Sequence, residues 1–263
     1  MYKEKMPFLF CPGCGNGVLV HLLARAVEEL DLWDRVSCVG GIGCSSWIPT
    51  YLKVDYLKTL HGRTLPAATG LRVTRPDRKV IVVVGDGDGV GIGGNHLIHA
   101  ARRNIDLAVV MVNNQIYGMT GGQAGPTTPF GARTTTTPYG NLEPPVDACR
   151  LVEAAGGTYV ARWTTAHQMQ LLKALKKAIM HPGFGFVEVL SPCPVQTGRY
   201  VMGSGDPVRL WRWLREHTTV RDGEEGKVRL GEFVELERPE LTAQLYELMA
   251  ARQAAARAAG VRG

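Results

Sequence analysis

The sequence predicts an α/β fold, with a mostly parallel sheet and helices on both of its faces. Three observations carry this. Residues 80–84 and 107–112 are continuously apolar, and an amphipathic stretch, 94–104, lies between them. Strands covered on both faces read as unbroken apolar runs, whereas half-exposed strands alternate. Strand, helix and strand in that order form a βαβ unit, and its right-handed crossover brings both strand ends to one edge of the sheet. Open α/β sheets bind their ligands along that edge.

The elements follow in order. Residues 1–15 form a cysteine loop. Val18, Leu19, Leu22, Leu23, Ala26, Val27 and Leu30 then recur with helical period, and Arg25 and Glu29 supply an i,i+4 pair. Residues 36–39 read as a strand, as do 80–84, 107–112 and 186–190. In the helix over 94–104, Leu97, Ile98 and Ala101 form the apolar side and Arg102 and Arg103 the other. Residues 118–145 are rich in Gly, Pro and Thr; a loop that long inside a compact domain is functional or disordered. A helix is expected over 166–180, with Met169, Leu172, Leu175, Lys176 and Ile179 in period. The Ala-rich segment 240–259 has helical propensity and is expected to be a packing or subunit-contact arm. At 263 residues the chain is expected to be a single domain, with an extension from about 205 to 263 packing on it or on a partner.

Hydrophobic residues make up 45% and charged residues 21%, which excludes a disordered chain. No apolar run approaches the roughly 18 residues that a membrane-spanning helix needs. Residues 1–7 lack the features of a secretory signal, so a cytoplasmic location is expected, and with it six cysteines acting as ligands, catalysts or buried thiols. The net charge of +6 is spread along the chain, giving no reason to expect nucleic acid. The densest basic sets, Lys173 with Lys176 and Lys177, and Arg209 with Arg212 and Arg215, are spaced as solvated helix faces.

The first apolar run leads directly into Gly85-Asp86-Gly87-Asp88-Gly89, and the second ends at Asn113-Asn114. Mg2+ takes octahedral oxygen coordination from few protein groups and from substrate phosphates, so a carboxylate, an amide oxygen and a backbone carbonyl are suitable donors. Glycines beside Asp86 would allow a diphosphate to approach the backbone. The bland alternative is an ordinary flexible turn.

Cys11-Pro12-Gly13-Cys14-Gly15 is joined at a distance by Cys44 and Cys193. Four thiolates suit a 4Fe-4S cluster or a tetrahedral Zn2+. A zinc ribbon normally pairs two CxxC knuckles, so this two-plus-one-plus-one set favours iron. Cys38 and Cys149 lack such context and are expected to be buried in packing.

Gly-Asp-Gly followed after a long spacer by Asn resembles the thiamine diphosphate signature. The resemblance implies Asp86 and Asn114 as side-chain ligands of Mg2+ and the carbonyl of Ile116 as a third. Asn113 competes for the amide position, but Asn114 puts Tyr117-Gly118 where the family has its cofactor-contacting turn. Together with Cys-Pro-Gly-Cys-Gly at 11–15, Gly-Ile-Gly-Cys-Ser at 41–45, His61-Gly62-Arg63, Tyr-Gly-Met-Thr-Gly-Gly-Gln at 117–123 and Ser-Pro-Cys at 191–193, the chain resembles the beta subunits of two-subunit 2-oxoacid:ferredoxin oxidoreductases.

That resemblance implies a thiamine diphosphate-binding fold. Ile42, Gly43, Cys44, Ser45, His61, Gly87, Asp88, Gly118 and Met119 would contact the cofactor. Cys11, Cys14, Cys44 and Cys193 would hold a 4Fe-4S cluster that passes electrons to ferredoxin. The substrate would be a 2-oxoacid, with 2-oxoglutarate favoured and pyruvate or a broad range as alternatives, and coenzyme A would take the acyl group. His61 has the alternative role of a loop cap. The glutamate that activates the aminopyrimidine ring belongs in such enzymes to the alpha subunit, so this chain alone is expected to be inactive. Two other readings stay open: a non-redox thiamine decarboxylase subunit, and a non-enzymatic protein with Zn2+ in its cysteines.

Overall fold

A computed structural model describes residues 1–258; Ala259, and with it the end of the segments expected over 240–259 and 205–263, lies outside the described residues. The chain runs α1 (Gly15–Glu29), β1 (Val36–Gly40), β2 (Asp55–Lys58), α2 (Thr64–Thr74), β3 (Lys79–Gly85), α3 (Gly94–Arg102), β4 (Leu107–Asn113), α4 (Ala148–Ala154), β5 (Tyr159–Thr164), α5 (Gln168–Met180) and β6 (Phe184–Leu190). α6 (Pro207–Glu216), β7 (Thr218–Thr219), β8 (Val228–Arg229), β9 (Gly231–Glu235) and α7 (Leu241–Ala258) follow.

Seven strands form one sheet in the order β2-β1-β3-β4-β6-β5-β9. All neighbours are parallel except β9, which pairs antiparallel with β5. The chain leaves β1 for β2 on one side and returns to β3 on the other. The gap between the ends of β1 and β3 is therefore a topological switch point, where a crevice opens.

Successive residues of the central strands serve opposite cores. Ile81, Val83, Val110 and Val187 pack with α1 and α5, while Val80, Val82, Val109 and Phe186 pack with α2, α3 and α4. This two-sided burial is why those strands are continuously apolar. The Arg25–Glu29 pair forms at 2.6 Å. Cys38 and Cys149 are fully buried.

Four strands were legible as short apolar segments, three helices by their period and one by its composition; several of the others break the patterns for identifiable reasons. β2 is an exposed edge strand carrying Asp55 and Lys58, as suits a sheet edge. β5 contains Arg162, which interrupts its apolar run and is buried against Glu188 at 2.6 Å. α2 carries Pro66 in its first turn, where proline is tolerated, and Gly70 in its body. α6 starts at a readable signal, with Asp206 accepting the Val208 N–H at 2.8 Å and Pro207 in the first turn.

Two expected apolar positions face solvent: Ile98 and Met169 are exposed, and Ala100 and Leu171 fill the core places. Arg209, Arg212 and Arg215 are exposed on α6 as expected. The lysines of α5 are less free, since Lys176 pairs with Glu29 and Lys177 with Glu232 and Glu235. No helix among the described residues is long and apolar enough to cross a membrane.

Candidate active site

The loops leaving β1, β2, β3 and β4 enclose a cavity of about 200 Å³ at the switch point. Ile42, Gly43, Cys44 and Ser45 line it from behind β1, and His61 from the loop after β2. Asp86, Gly87 and Asp88 come from the end of β3; Asn114, Ile116, Gly118 and Met119 come from the end of β4. The sequence-derived cofactor residues and Mg2+ ligands thus face one space.

Asp86 is buried, and burial pushes its carboxyl up to about 6 against the hydrogen bonds that it accepts from Thr127 and from the Gly87 N–H. One carboxylate oxygen accepts from the Thr127 hydroxyl. The other, Oδ1, lies 3.3 Å from the outer amide atom of Asn114, which is also 2.7 Å from the Ile116 carbonyl oxygen. With the amide oxygen there, accepting the Ile116 N–H at 3.3 Å, three acceptors converge with no proton between them. Turned over, the amide nitrogen would donate to both. In that second orientation the N–H groups satisfy both oxygens, so it is the first that asks for a cation. Oxygens held octahedrally at about 2.1 Å from Mg2+ lie about 3 Å apart along an edge, so the three groups fit that ion.

Asn113 does not reach this spot. It is buried on the other side of the turn, donating to Glu188 Oε1 at 2.6 Å and accepting from the Gln115 N–H at 3.0 Å. Gln115 has a φ of +62°, a left-handed conformation uncommon for a residue with a side chain, and this reversal aims the Ile116 carbonyl back at Asn114.

Asp88 is also buried, and both its oxygens are engaged by the loop after β2. Oδ1 accepts the Gly62 N–H at 2.5 Å, Oδ2 lies 3.4 Å from the Thr64 hydroxyl, and His61 Nδ1 stands 2.9 Å from Oδ1 at an angle that makes no hydrogen bond. Burial raises the Asp88 carboxyl above its ordinary range. Asp88 therefore holds the loop at Gly62 and Thr64, and His61 lines the cavity from that loop without its Nδ1 making a hydrogen bond of its own.

The glycines serve different ends. At Gly43 the backbone has a φ of +130° and open space beside Cα, as a close approach to a bound group requires. At Gly87, which also lines the cavity, a Cβ would collide with the Tyr117 ring, so that glycine makes room for a protein side chain as well.

A second cavity, of about 250 Å³, adjoins the first and is lined by Cys11, Cys14, Cys44 and Cys193. The CxxC turn closes through the Cys14 N–H to the Cys11 carbonyl at 3.0 Å. Burial pushes the Cys14 thiol up to about 12, the Asn16 N–H opposes it, and the other three cysteines add to it. Cys44 is raised for the same leading reason. Among the described residues no three His, Cys, Asp or Glu side chains converge as they would around a single ion. The four thiols surround a space instead.

Asn16, Cys44, Asn114 and Met119 line both cavities and form the wall between them. Tyr117, expected in the cofactor-contacting turn, lines the first cavity. Asn16 and Thr127 were not among the expected site residues; Asn16 adjoins the quoted motif at 11–15 and was legible as its neighbour. Thr127 lies within a Thr- and Pro-rich loop and carried no local signal.

Residues 41–189 match the family model for the thiamine pyrophosphate enzyme C-terminal TPP binding domain. The 2-oxoglutarate synthase subunit KorB of Methanocaldococcus jannaschii is 47% identical over 258 residues, covering 95% of each chain. The chain belongs to the beta subunits of the 2-oxoacid:ferredoxin oxidoreductases. The 2-oxoacid:ferredoxin oxidoreductase 2 subunit beta of Aeropyrum pernix is 36% identical, covering 94% of this chain and 78% of its own. Among solved structures, a 2-oxoglutarate:ferredoxin oxidoreductase from Magnetococcus marinus, with 2-oxoglutarate, coenzyme A and succinyl-CoA bound, aligns with a TM-score of 0.86 at 32% identity over 96% of this chain and 89% of that one. Family membership accounts for the parallel sheet and its switch-point cavity, and it agrees with the motifs at 11–15, 41–45, 85–88 and 117–123.

Proposed function

We propose that this chain is the thiamine diphosphate- and cluster-bearing half of a cytoplasmic 2-oxoglutarate:ferredoxin oxidoreductase that forms succinyl-CoA. The carrying observation is the wall of Asn16, Cys44, Asn114 and Met119, shared by a cavity suited to a cofactor diphosphate with Mg2+ and a cavity ringed by four cysteines. Thiamine diphosphate, when bound, supplies the nucleophilic carbon and electron sink for loss of CO2, and a 4Fe-4S cluster supplies the one-electron acceptor.

The chain's own residues bind and orient. Asp86, Asn114 and the Ile116 carbonyl hold Mg2+, and Gly43 lets the cofactor lie against the backbone. His61, on the loop that Asp88 holds, and Met119 would contact the bound cofactor. Cys11, Cys14, Cys44 and Cys193 would ligate the cluster, which would supply electrons to ferredoxin. The carboxylates lining the first cavity are those of Asp86 and Asp88, and both are engaged. The activating carboxylate is therefore assigned to an alpha subunit, without which the chain should not turn over. We take the chain as one domain, with the segment from about 205 onward packing on it or on that partner.

The test is an anaerobic dye-reduction assay of the complex co-purified with its alpha subunit. Coenzyme A-dependent reduction with 2-oxoglutarate is expected, and preference for pyruvate or branched 2-oxoacids would overturn the substrate assignment. Absence of an iron-sulfur EPR signal in reconstituted protein would leave a non-redox decarboxylase subunit in its place.

A further inference from the structure

The segment 114–147, between β4 and α4, contains neither helix nor strand, yet Thr127 and Thr128 within it are almost completely buried. Neither lines the cavity. Their hydroxyls hold the two sides of the cation site from behind. The Thr127 hydroxyl donates to Asp86 Oδ2, leaving Oδ1 for the cavity, and stands 3.0 Å from Asn113 Oδ1. Thr128 donates to the Gln115 carbonyl at 2.6 Å and so holds the left-handed residue that turns the Ile116 carbonyl inward.

Asn113 ties the two together. Its amide oxygen accepts the Gln115 N–H at 3.0 Å and faces Thr127, and this orientation is fixed because its nitrogen donates to Glu188 at 2.6 Å. Glu188 is in turn paired with Arg162 at 2.6 Å, and Arg162 with Asp147 at 2.5 Å. The row runs across β5, β6, β4 and β3 beneath the cavity floor, and its members at 113, 127, 128, 162 and 188 are buried.

We infer that Thr127 and Thr128, backed by Asn113 and Glu188, are positioning residues that preset the Mg2+ cradle of Asp86, Asn114 and Ile116. The long loop is thus anchored under the metal site. A carboxylate with one oxygen already satisfied presents the other in a fixed direction, and outer partners of this kind change metal affinity by about 10–100-fold when removed. This rests on the Mg2+ site proposed above.

The experiment measures metal affinity directly. The complex with its alpha subunit is stripped of metal, supplied with thiamine diphosphate and titrated with Mn2+, free ion being read by EPR, with Mg2+ as competitor. Thr127→Val is expected to weaken binding at least tenfold, and Thr127→Ser, which keeps the hydroxyl, to stay within about threefold of the parent. A loss below tenfold in Thr127→Val, or an equal loss in Thr127→Ser, overturns the inference. If Thr127→Val does not fold, Thr128→Val, which removes the hydroxyl that donates to the Gln115 carbonyl and accepts the Gly125 N–H at 2.8 Å, decides by the same threshold. Asp86→Asn is the control: if it leaves the affinity unchanged, the Mg2+ site itself is misassigned and the fault does not lie with the residues behind it.

Discussion

His181 is half-buried at the end of α5, with Nε2 2.7 Å from the Thr158 hydroxyl, and burial holds its imidazole below the ordinary 6.5. The unfolded chain therefore takes up a proton at a higher pH than the folded one. Stability contributed by neutral His181 is complete above pH 6.5 and is lost as pH falls from there through the lower folded value. Between pH 7 and 5.5 the urea midpoint of the parent should decline, relative to that of His181→Asn, as pH falls; a constant difference between the two would show that His181 does not titrate in that window. Gly41 offers a steric test, because a Cβ there would collide with the Asp88 carboxylate and the Thr64 hydroxyl. Gly41→Ala should cost about 1–3 kcal/mol in urea unfolding, as overpacking does, and should weaken thiamine diphosphate binding by displacing the His61 loop. At this scale the sequence was informative where a residue's type itself suggests a role, as with Asp86, Asn114 and the four cysteines, which the fold brings to two adjoining cavities. It was silent where a residue works through contacts made across the fold. Nothing near Thr127 in the sequence announces a partner at Asp86.

Among the elements, β5 and β6 are joined by more than their ladder. Arg162 and Glu188 sit opposite each other in register, both almost fully buried, and Asp147 at the start of α4 completes the row. Breaking a buried pair from one side leaves a charge without compensation and costs about 3–5 kcal/mol. Arg162→Met should destabilise the apoprotein by that much in urea unfolding, and a second change, Glu188→Met, should recover a large part of it. No recovery would mean that the loss comes from packing of the arginine stem and not from its charge. This pair is also why β5 escaped a reading by hydrophobic pattern. The central strands β3 and β4 were legible because both faces are covered by helices. β2 and β9 lie at the edges, where polar residues are tolerated, and only the three-dimensional pairing shows them to be strands.

For the whole molecule, the order β2-β1-β3-β4 brings Ile42–Ser45, Asp86 and Asn114 to one crevice from stretches far apart in sequence. The βαβ unit predicted the meeting of Asp86 with Asn114. The approach of the β1 loop and of the cysteines at 11, 14 and 193 depends on strand order, which periodicity does not encode; the places of Cys44 and Cys193 just after strands, and the family motifs, supplied that expectation. The chain purified without its alpha partner should still bind iron and thiamine diphosphate, seen by EPR and calorimetry, while reducing no dye with any 2-oxoacid. Turnover by the isolated chain would mean that it carries its own activating acid.

The four-residue wall between the two cavities has a further consequence, for the enzyme's life in air. Cys44 is at once a lining residue of the cofactor pocket and one of the four thiols, and a Cβ on Gly118 would touch both the Asn114 amide and the Cys193 sulfur. If the four thiols hold the proposed cluster, its oxidative loss would free the loop that frames the vitamin-derived coenzyme, so aerobic damage should register first as leakage of that coenzyme. Repair would then have to begin with the sulfur ligands, because replenishing the vitamin alone would refill a pocket whose partition is missing.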